Sequence, residues 1–452
     1  MSKVAIAYYH DLLGDDGLAA ASRAMLAEEL ERAKLVFGGR LLSPYLRPHF
    51  LSEEEYAHVR RVCETLWTTV QKVKDLALED RITAEELGLT PYEWELARLE
   101  PGYSMVSPTA RFDSFLTERS YSFVELNGES PAGIAYADAA FDVFARLPVM
   151  RAFKERYDAR PLYGRRLLLD TLLATYAEFL GHRQFARPPQ IAIIDLKGLP
   201  TQQEFELFCE FFEREGYPTC ICSPDELEFS KGKLRSGDFE IDIVYRRLLV
   251  NEYLPFIERF PALLDAYRAR AVCVVNSFRS KLIHKKALFA TLTDERYERL
   301  FDDAERAVIR AHVPWTRRVR DAKDKRDGEE IELLRFIERE REHLVLKPND
   351  DYGGRGIFVG WRSSEGEWRA AIDFALKDGD YLVQERVSTS REKFPMLRDD
   401  GFEMSEQLVD LDPLLFNGKV GSAFARLSST ELANVSSGGG MVPTFIISDG
   451  AS

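Results

Sequence analysis

Between residues 190 and 276 the chain alternates short apolar runs with helical spacing, and this alternation narrows the fold more than any other feature. Residues 190–195 read as a strand, 201–215 as a helix closed by Gly216, and 219–222 and 241–245 as strands. Residues 253–269 read as one further helix and 271–276 as a last strand. Strands separated by helices pair in parallel, because a helical crossover returns the chain to the same end of the sheet. The first strand runs into Asp195-Leu196-Lys197-Gly198 rather than G-x-G-x-x-G, so the dinucleotide fingerprint is absent. The spacing predicts a small parallel α/β domain over 151–284. It lies between an N-terminal region over 1–150 and a C-terminal region over 285–452.

Helical spacing also covers 18–33, 52–78 and 165–180, with Ser52 and Glu55 placed for a capping box. Two apolar runs at 112–116 and 122–126 read as a hairpin, stopped by Pro131-Ala132-Gly133. Residues 285–292 begin another helix, the charged stretch 317–326 reads as a solvated loop, and the last hundred residues read as mostly strand-like, punctuated by glycine. Lys plus Arg number 61 against 75 Asp plus Glu, a net charge of −14, which disfavours a nucleic-acid partner. The five cysteines form no C-x-x-C pair and suit a reduced compartment. With no leader pattern and no long apolar stretch, the expectation is a cytoplasmic chain without a membrane partner.

Three blocks carry candidate chemistry. In the first, strand 344–347 delivers Lys347 to a turn holding Gly353, Gly354, Arg355 and Gly356, followed by another β-run. Glycines let backbone N–H groups approach phosphate oxygens, and Lys347 and Arg355 add positive charge. A tight hairpin turn is the other reading. No G-K-[ST] closes the loop and no helix follows, so it is not a Walker A loop. The second block is the strand 381–387, whose backbone, if at an edge, suits hydrogen bonds to an adenine ring; taken by itself it reads as an ordinary amphipathic strand. In the third, Arg111 and Asp113 share one strand face and Glu125 and Asn127 another. On adjacent strands Asp113, Glu125 and Asn127 offer three oxygen donors, suited to Mg²⁺. A solvated face with one Arg–Asp pair is the plainer alternative.

Together the Lys-Pro strand, the Gly-Gly-Arg-Gly turn and the Val-Gln-Glu strand resemble the nucleotide-binding lobe of ATP-grasp enzymes. The R-x-D then E-x-N pattern is similar to their Mg²⁺-binding segment. Here that segment precedes the glycine loop, an order that resembles the circularly permuted ATP-grasp proteins related to glutathionylspermidine synthase. Arg47-Pro48-His49-Phe50, Asn276-Ser277 ahead of Lys286, and Arg426 followed by Asn434 through Gly440 fit the same order. The resemblance implies an α/β, circularly permuted ATP-grasp fold with a pre-ATP-grasp-like domain inserted. It implies Lys286 (or its neighbour Lys285) and Lys347 on the phosphates of ATP under the Gly353–Gly356 loop, and Gln384, Glu385 and Val387 around adenine and ribose. It places Asp113, Glu125 and Asn127 on Mg²⁺, and Arg111 and Arg426 against the transferring phosphoryl group. Substrate contacts would fall on Arg47, His49, Asn434, Ser437 and Gly438, with loop-structural roles as the alternative. The family's amidase half has no counterpart here, so the glutathione–polyamine substrate is not carried over.

The activity implied is an ATP- and Mg²⁺-dependent carbon–nitrogen ligase. It would join a small-molecule or peptide carboxylate to an amine or thiol acceptor through an acyl phosphate, releasing ADP and phosphate. Positioning and charge neutralisation carry such chemistry without a protein nucleophile. A nucleotide-binding regulatory protein and a phosphotransferase on the same fold are the alternatives.

Overall fold

The computed structural model describes residues 2–37, 39–326, 328–431 and 439–450. It is a mixed α/β structure with several sheets. In the eight-stranded sheet the two ends of the chain meet. Its order runs His49–Ser52, Gly440–Asp449, Lys419–Ser428, Gly401–Phe416, Thr109–Leu116 and Tyr121–Asn127, with Ser390–Arg398 and Tyr157–Arg160 paired at the side. The hairpin read at 112–126 is therefore the outer pair of a sheet whose centre is C-terminal.

A second sheet is parallel, ordered Cys273–Val275, Ile243–Arg246, Ile191–Ile194, Thr219–Cys222. All four residues of Ile191–Ile194 are buried, as an inner strand covered on both faces requires. Just past the end of this sheet Asn276 fastens it to the hairpin. Its amide donates to the carbonyls of Thr109 (2.8 Å), Gly128 (3.0 Å) and Glu129 (2.9 Å). The third sheet is antiparallel, ordered Thr316–Arg318, Tyr381–Glu385, Leu344–Pro348, Phe358–Val359. Helices Leu333–Arg339 and Glu365–Asp378 pack on one face of it, around Leu344, Leu346, Trp368 and Val383.

The long helix Glu53–Glu79 starts with the Ser52/Glu55 capping box that its sequence predicts. Three expectations fail. Residues 253–269 are not one helix: Val250–Tyr253, a 3₁₀ turn Leu254–Phe256 and Ala262–Arg268 replace it, since Pro255 and Pro261 cannot donate inside a helix. The stretch 317–326 is not a loop, because Arg317 lies in the buried strand Thr316–Arg318 and Lys323–Arg326 pairs with Glu329–Glu332. Alternating charges on a two-stranded ribbon face water and look like a loop in sequence. The C-terminal part is mostly strand, as its sequence reads, interrupted by the capped helix Glu365–Asp378 ending on Gly379. Strand Tyr381–Glu385 is no edge: it pairs on both sides, and the Glu385 and Arg386 amides already donate to the Trp315 and His343 carbonyls. No helix among the described residues is long and apolar enough to cross a membrane.

Candidate functional site

Between the antiparallel sheet and the eight-stranded sheet lies a cleft, open at its mouth and lined from both sides. Alternation along the strands decides what faces it. On Leu344–Pro348, Leu344 and Leu346 enter the helix-side core while Val345 and Lys347 face the cleft, and Gln384, opposite Val345, joins them. On the other wall Asp113 sits opposite Glu125, and Arg111 opposite Asn127.

The cleft brings together Asp113, Glu125, Lys286, Lys347, Gly353, Gly354, Arg355, Gln384, Glu385, Val387 and Arg426. Gly356 stands just outside its lining; its carbonyl accepts from Tyr381 Oη at 3.0 Å. Lys286 and not Lys285 reaches the cleft. Lys285 is locked to Asp350 (2.8 Å) and Glu93 (3.2 Å), whereas Lys286 Nζ meets the Asp351 carbonyl (2.6 Å) and Glu125 (3.4 Å). Lys347 is buried, donating to the Val124 carbonyl (2.6 Å) and Gln384 Oε1 (2.7 Å). Burial pushes its ammonium down to about 7, with Lys286 adding to the fall and Glu125 opposing it.

Arg111 stands behind the acidic wall rather than in the cleft. It grips Asp113 with two hydrogen bonds (2.8 and 3.2 Å) and donates to the Ala132 carbonyl. Asn127 donates to Asp113 (2.9 Å) and Glu125 (3.3 Å), tying the two carboxylates together. Arg426 bridges Asp113 and Asp410, and its Nε lies 2.8 Å from Asp412. Burial disfavours the charged form of Asp113, yet Arg111 and Arg426 outweigh it and hold that carboxyl well below the usual range. Burial pushes Asp410 up to about 7 against the pull of Arg426, and raises Asp412 well above the ordinary value.

Asp410 and Asp412 were missed in the sequence. The signal was present: two carboxylates two apart inside the apolar run Leu408-Val409-Asp410-Leu411-Asp412, which places both on one strand face. Asp113, Asp410 and Asp412 can bring one oxygen each within 4.8 Å of one another, and both oxygens of Asp412 lack a hydrogen-bond partner. An all-oxygen donor set of this kind suits a hard divalent cation, and here the Arg426 guanidinium lies against all three carboxylates. Arg47 is not brought to the cleft. It is fully buried, paired with Glu392 at 3.0 Å and stacked on Phe394, a structural role in place of the substrate contact expected. Asn434, Ser437 and Gly438 lie outside the described residues.

The glycine turn needs glycine. Gly353, Gly354 and Gly356 all have positive φ (73°, 76° and 65°), and a Cβ on Gly356 would fall 2.5 Å from Tyr381 Oη. Gly356→Ala should therefore cost the loop conformation about 1–2 kcal/mol. The expected result is faster amide hydrogen exchange over 351–357 at an unchanged global melting temperature.

This arrangement of lobes has a known counterpart. Its coordinates superpose on a glutathione synthetase-like effector from Globodera pallida with a TM-score of 0.62, covering 95% of this chain and 97% of that one. The two share a fold. Identity is 13%, so the likeness extends to the fold alone. A putative gamma-glutamylcysteine synthetase from Methylobacillus flagellatus aligns at 12% identity over 86% of each chain, with a TM-score of 0.43. A D-cycloserine synthetase aligns at 14% identity over 54% of this chain and 92% of its own, with a TM-score of 0.26. No family model and no curated protein matches the sequence.

Proposed function

We propose that the chain is an ATP- and Mg²⁺-dependent ligase of the permuted ATP-grasp kind, joining a carboxylate to an amine or thiol through an acyl phosphate. One observation carries this reading: a single cleft unites the glycine turn and two lysines of the C-terminal part with the acidic hairpin of the N-terminal part. The name of the fold neighbour, a glutathione synthetase-like effector, agrees with the same class.

On this reading Lys286, Lys347 and Arg355 bind the phosphates and the Gly353–Gly356 loop covers them. Val345, Val359 and Trp361 supply apolar walls for a base, with Gln384, Glu385 and Val387 at its polar edge. Asp113, Glu125 and Asn127, joined by Asp410, would hold the Mg²⁺. ATP supplies the phosphoryl group that turns a poor electrophile into a reactive one, and the cation offsets charge on its phosphates. Arg426 faces the cleft and steadies developing negative charge, while Arg111 keeps Asp113 ionised and in place. The covering loop excludes water from the activated carboxylate.

Calorimetric titration of Mg²⁺-ADP tests this. The expected outcome is metal-dependent binding by the native chain, weakened about tenfold or more in Glu125→Ala, as for loss of one charge-assisted contact. No binding by the folded native chain would discard the nucleotide reading. Screening carboxylates with hydroxylamine then separates the activities: a ligase yields a hydroxamate, a phosphotransferase a stable phospho-product, and a regulatory nucleotide binder neither.

A further inference from the structure

Lys281, Lys285 and Lys286 crowd the segment that follows the parallel sheet, yet only Lys286 lines the cleft. Lys281 opens the short helix Lys281–His284 and Lys285 stands just past its end, four residues on, so the two share a side. That side is buried, and one carboxylate takes both ammoniums. Lys281 Nζ lies 2.6 Å from Asp350 Oδ1, and Lys285 Nζ lies 2.8 Å from Asp350 Oδ2. Behind them Lys281 meets Glu129 at 3.3 Å, Lys285 meets Glu93 at 3.2 Å, and Arg246 pairs with Glu129 at 3.4 Å. Burial pushes the His284 imidazole down to about 4, so it adds no charge. Lys281, Lys285 and Arg246 thus balance Glu93, Glu129 and Asp350.

Packing alone does not call for such a group, because buried ion pairs are often no more stabilising than apolar side chains of the same volume. What Asp350 fixes is the backbone on either side of it. The Asn349 carbonyl accepts from the Lys286 amide at 3.0 Å, and the Asp351 carbonyl from Lys286 Nζ at 2.6 Å. The Asn349 side chain also accepts from the Ala287 amide at 2.8 Å. Lys286 is therefore held at its amide and at its ammonium by the two residues that flank Asp350. Those residues continue directly from the strand Leu344–Pro348 that carries Lys347, so one anchored turn relates the two lysines of the cleft.

We propose that Asp350 is a positioning residue for the phosphate site: it draws Lys281 and Lys285 away from the cleft and holds the backbone that aims Lys286 at the nucleotide. Asp350 is not among the residues that line the cleft. This role rests on the nucleotide reading of that cleft.

Asp350→Asn alone strands a buried cation and should melt well below the native chain. Asp350→Asn/Lys285→Met removes one charge of each sign and should melt close to it. The assay is calorimetric titration of Mg²⁺-ADP into the native chain, Lys286→Met, the paired variant, and the triple variant that combines them. Lys286→Met and the paired variant should each raise Kd about tenfold. The triple variant should bind no worse than Lys286→Met, since a residue that acts through Lys286 then has nothing left to position. Losses that multiply to about a hundredfold would make Asp350 a structural neighbour only and overturn the proposal. A paired variant with native affinity overturns it as well, as does one that fails to regain the native melting temperature. If the folded native chain binds no Mg²⁺-ADP, the nucleotide reading falls and this role with it. Native binding beside an unaffected paired variant removes this role alone.

Discussion

Arg426→Met is expected to be the most destabilising single substitution in the site, by about 3–5 kcal/mol, because it strips a cation from a buried carboxylate cluster. Arg426 faces Asp113, Asp410 and Asp412 at once, leaving Arg111 as the remaining guanidinium on Asp113. The loss should depend on pH in a definite direction. Without Arg426 the buried carboxyls have folded-state pKa values above the unfolded 3.8, so the folded state binds more protons and stability falls as pH rises. The deficit should be smallest near pH 4 and greatest above pH 7, where Asp410 is ionised even in the native chain. Thermal melts of both proteins across that range measure it. Arg426→Met/Asp410→Asn should recover part of the loss by removing one unpaired charge. A pH-independent deficit would show that Arg426 acts through packing alone.

Lys347→Met should weaken Mg²⁺-ADP binding by about 1.5–3 kcal/mol, roughly tenfold to a hundredfold in Kd. Its stability should change little, since relief of a buried charge offsets the donors lost to the Val124 carbonyl and Gln384. The native lysine also makes a proton-linked prediction. Its folded-state pKa is about 7 against an ordinary 10.5, so between those values the unfolded chain binds more protons and the free protein gains stability as pH rises. An anionic nucleotide favours the charged ammonium and draws the proton back. Binding near pH 8 should take up close to one proton, read from the binding heat in two buffers of different ionisation enthalpy. Lys347→Met should abolish that uptake. Tight binding with the uptake intact in the variant would place the phosphates elsewhere.

Local pattern was enough for much of this. Ser52 with Glu55 marked a helix start, short apolar runs marked both hairpin strands, and the positive-φ glycines at 353, 354 and 356 marked a turn that residues with a Cβ resist. These features depend on neighbours in the chain, and neighbours are what a sequence lists. Reading failed where a longer-range partner set the outcome. Arg317 looked solvated among other charges, but sheet pairing and Asp324 at 2.7 Å bury it. Arg47 looked like a ligand contact until Glu392, far along the chain, was found against it.

The acidic wall shows the division most plainly. The sequence by itself determined that Arg111 and Asp113 share a face, as do Glu125 and Asn127, because residues two apart on a strand must. The sequence also placed a lysine at the end of an apolar strand before a glycine turn. Only the tertiary structure decided that these faces meet, since contact between residue 125 and residue 286 rests on sheet order and not on local propensity. The same order supplied Asp410 and Asp412 from a neighbouring strand. Low-dielectric burial then set the charges, holding Asp113 ionised between two guanidiniums and Lys347 near its titration point, effects that arise only once water has been excluded.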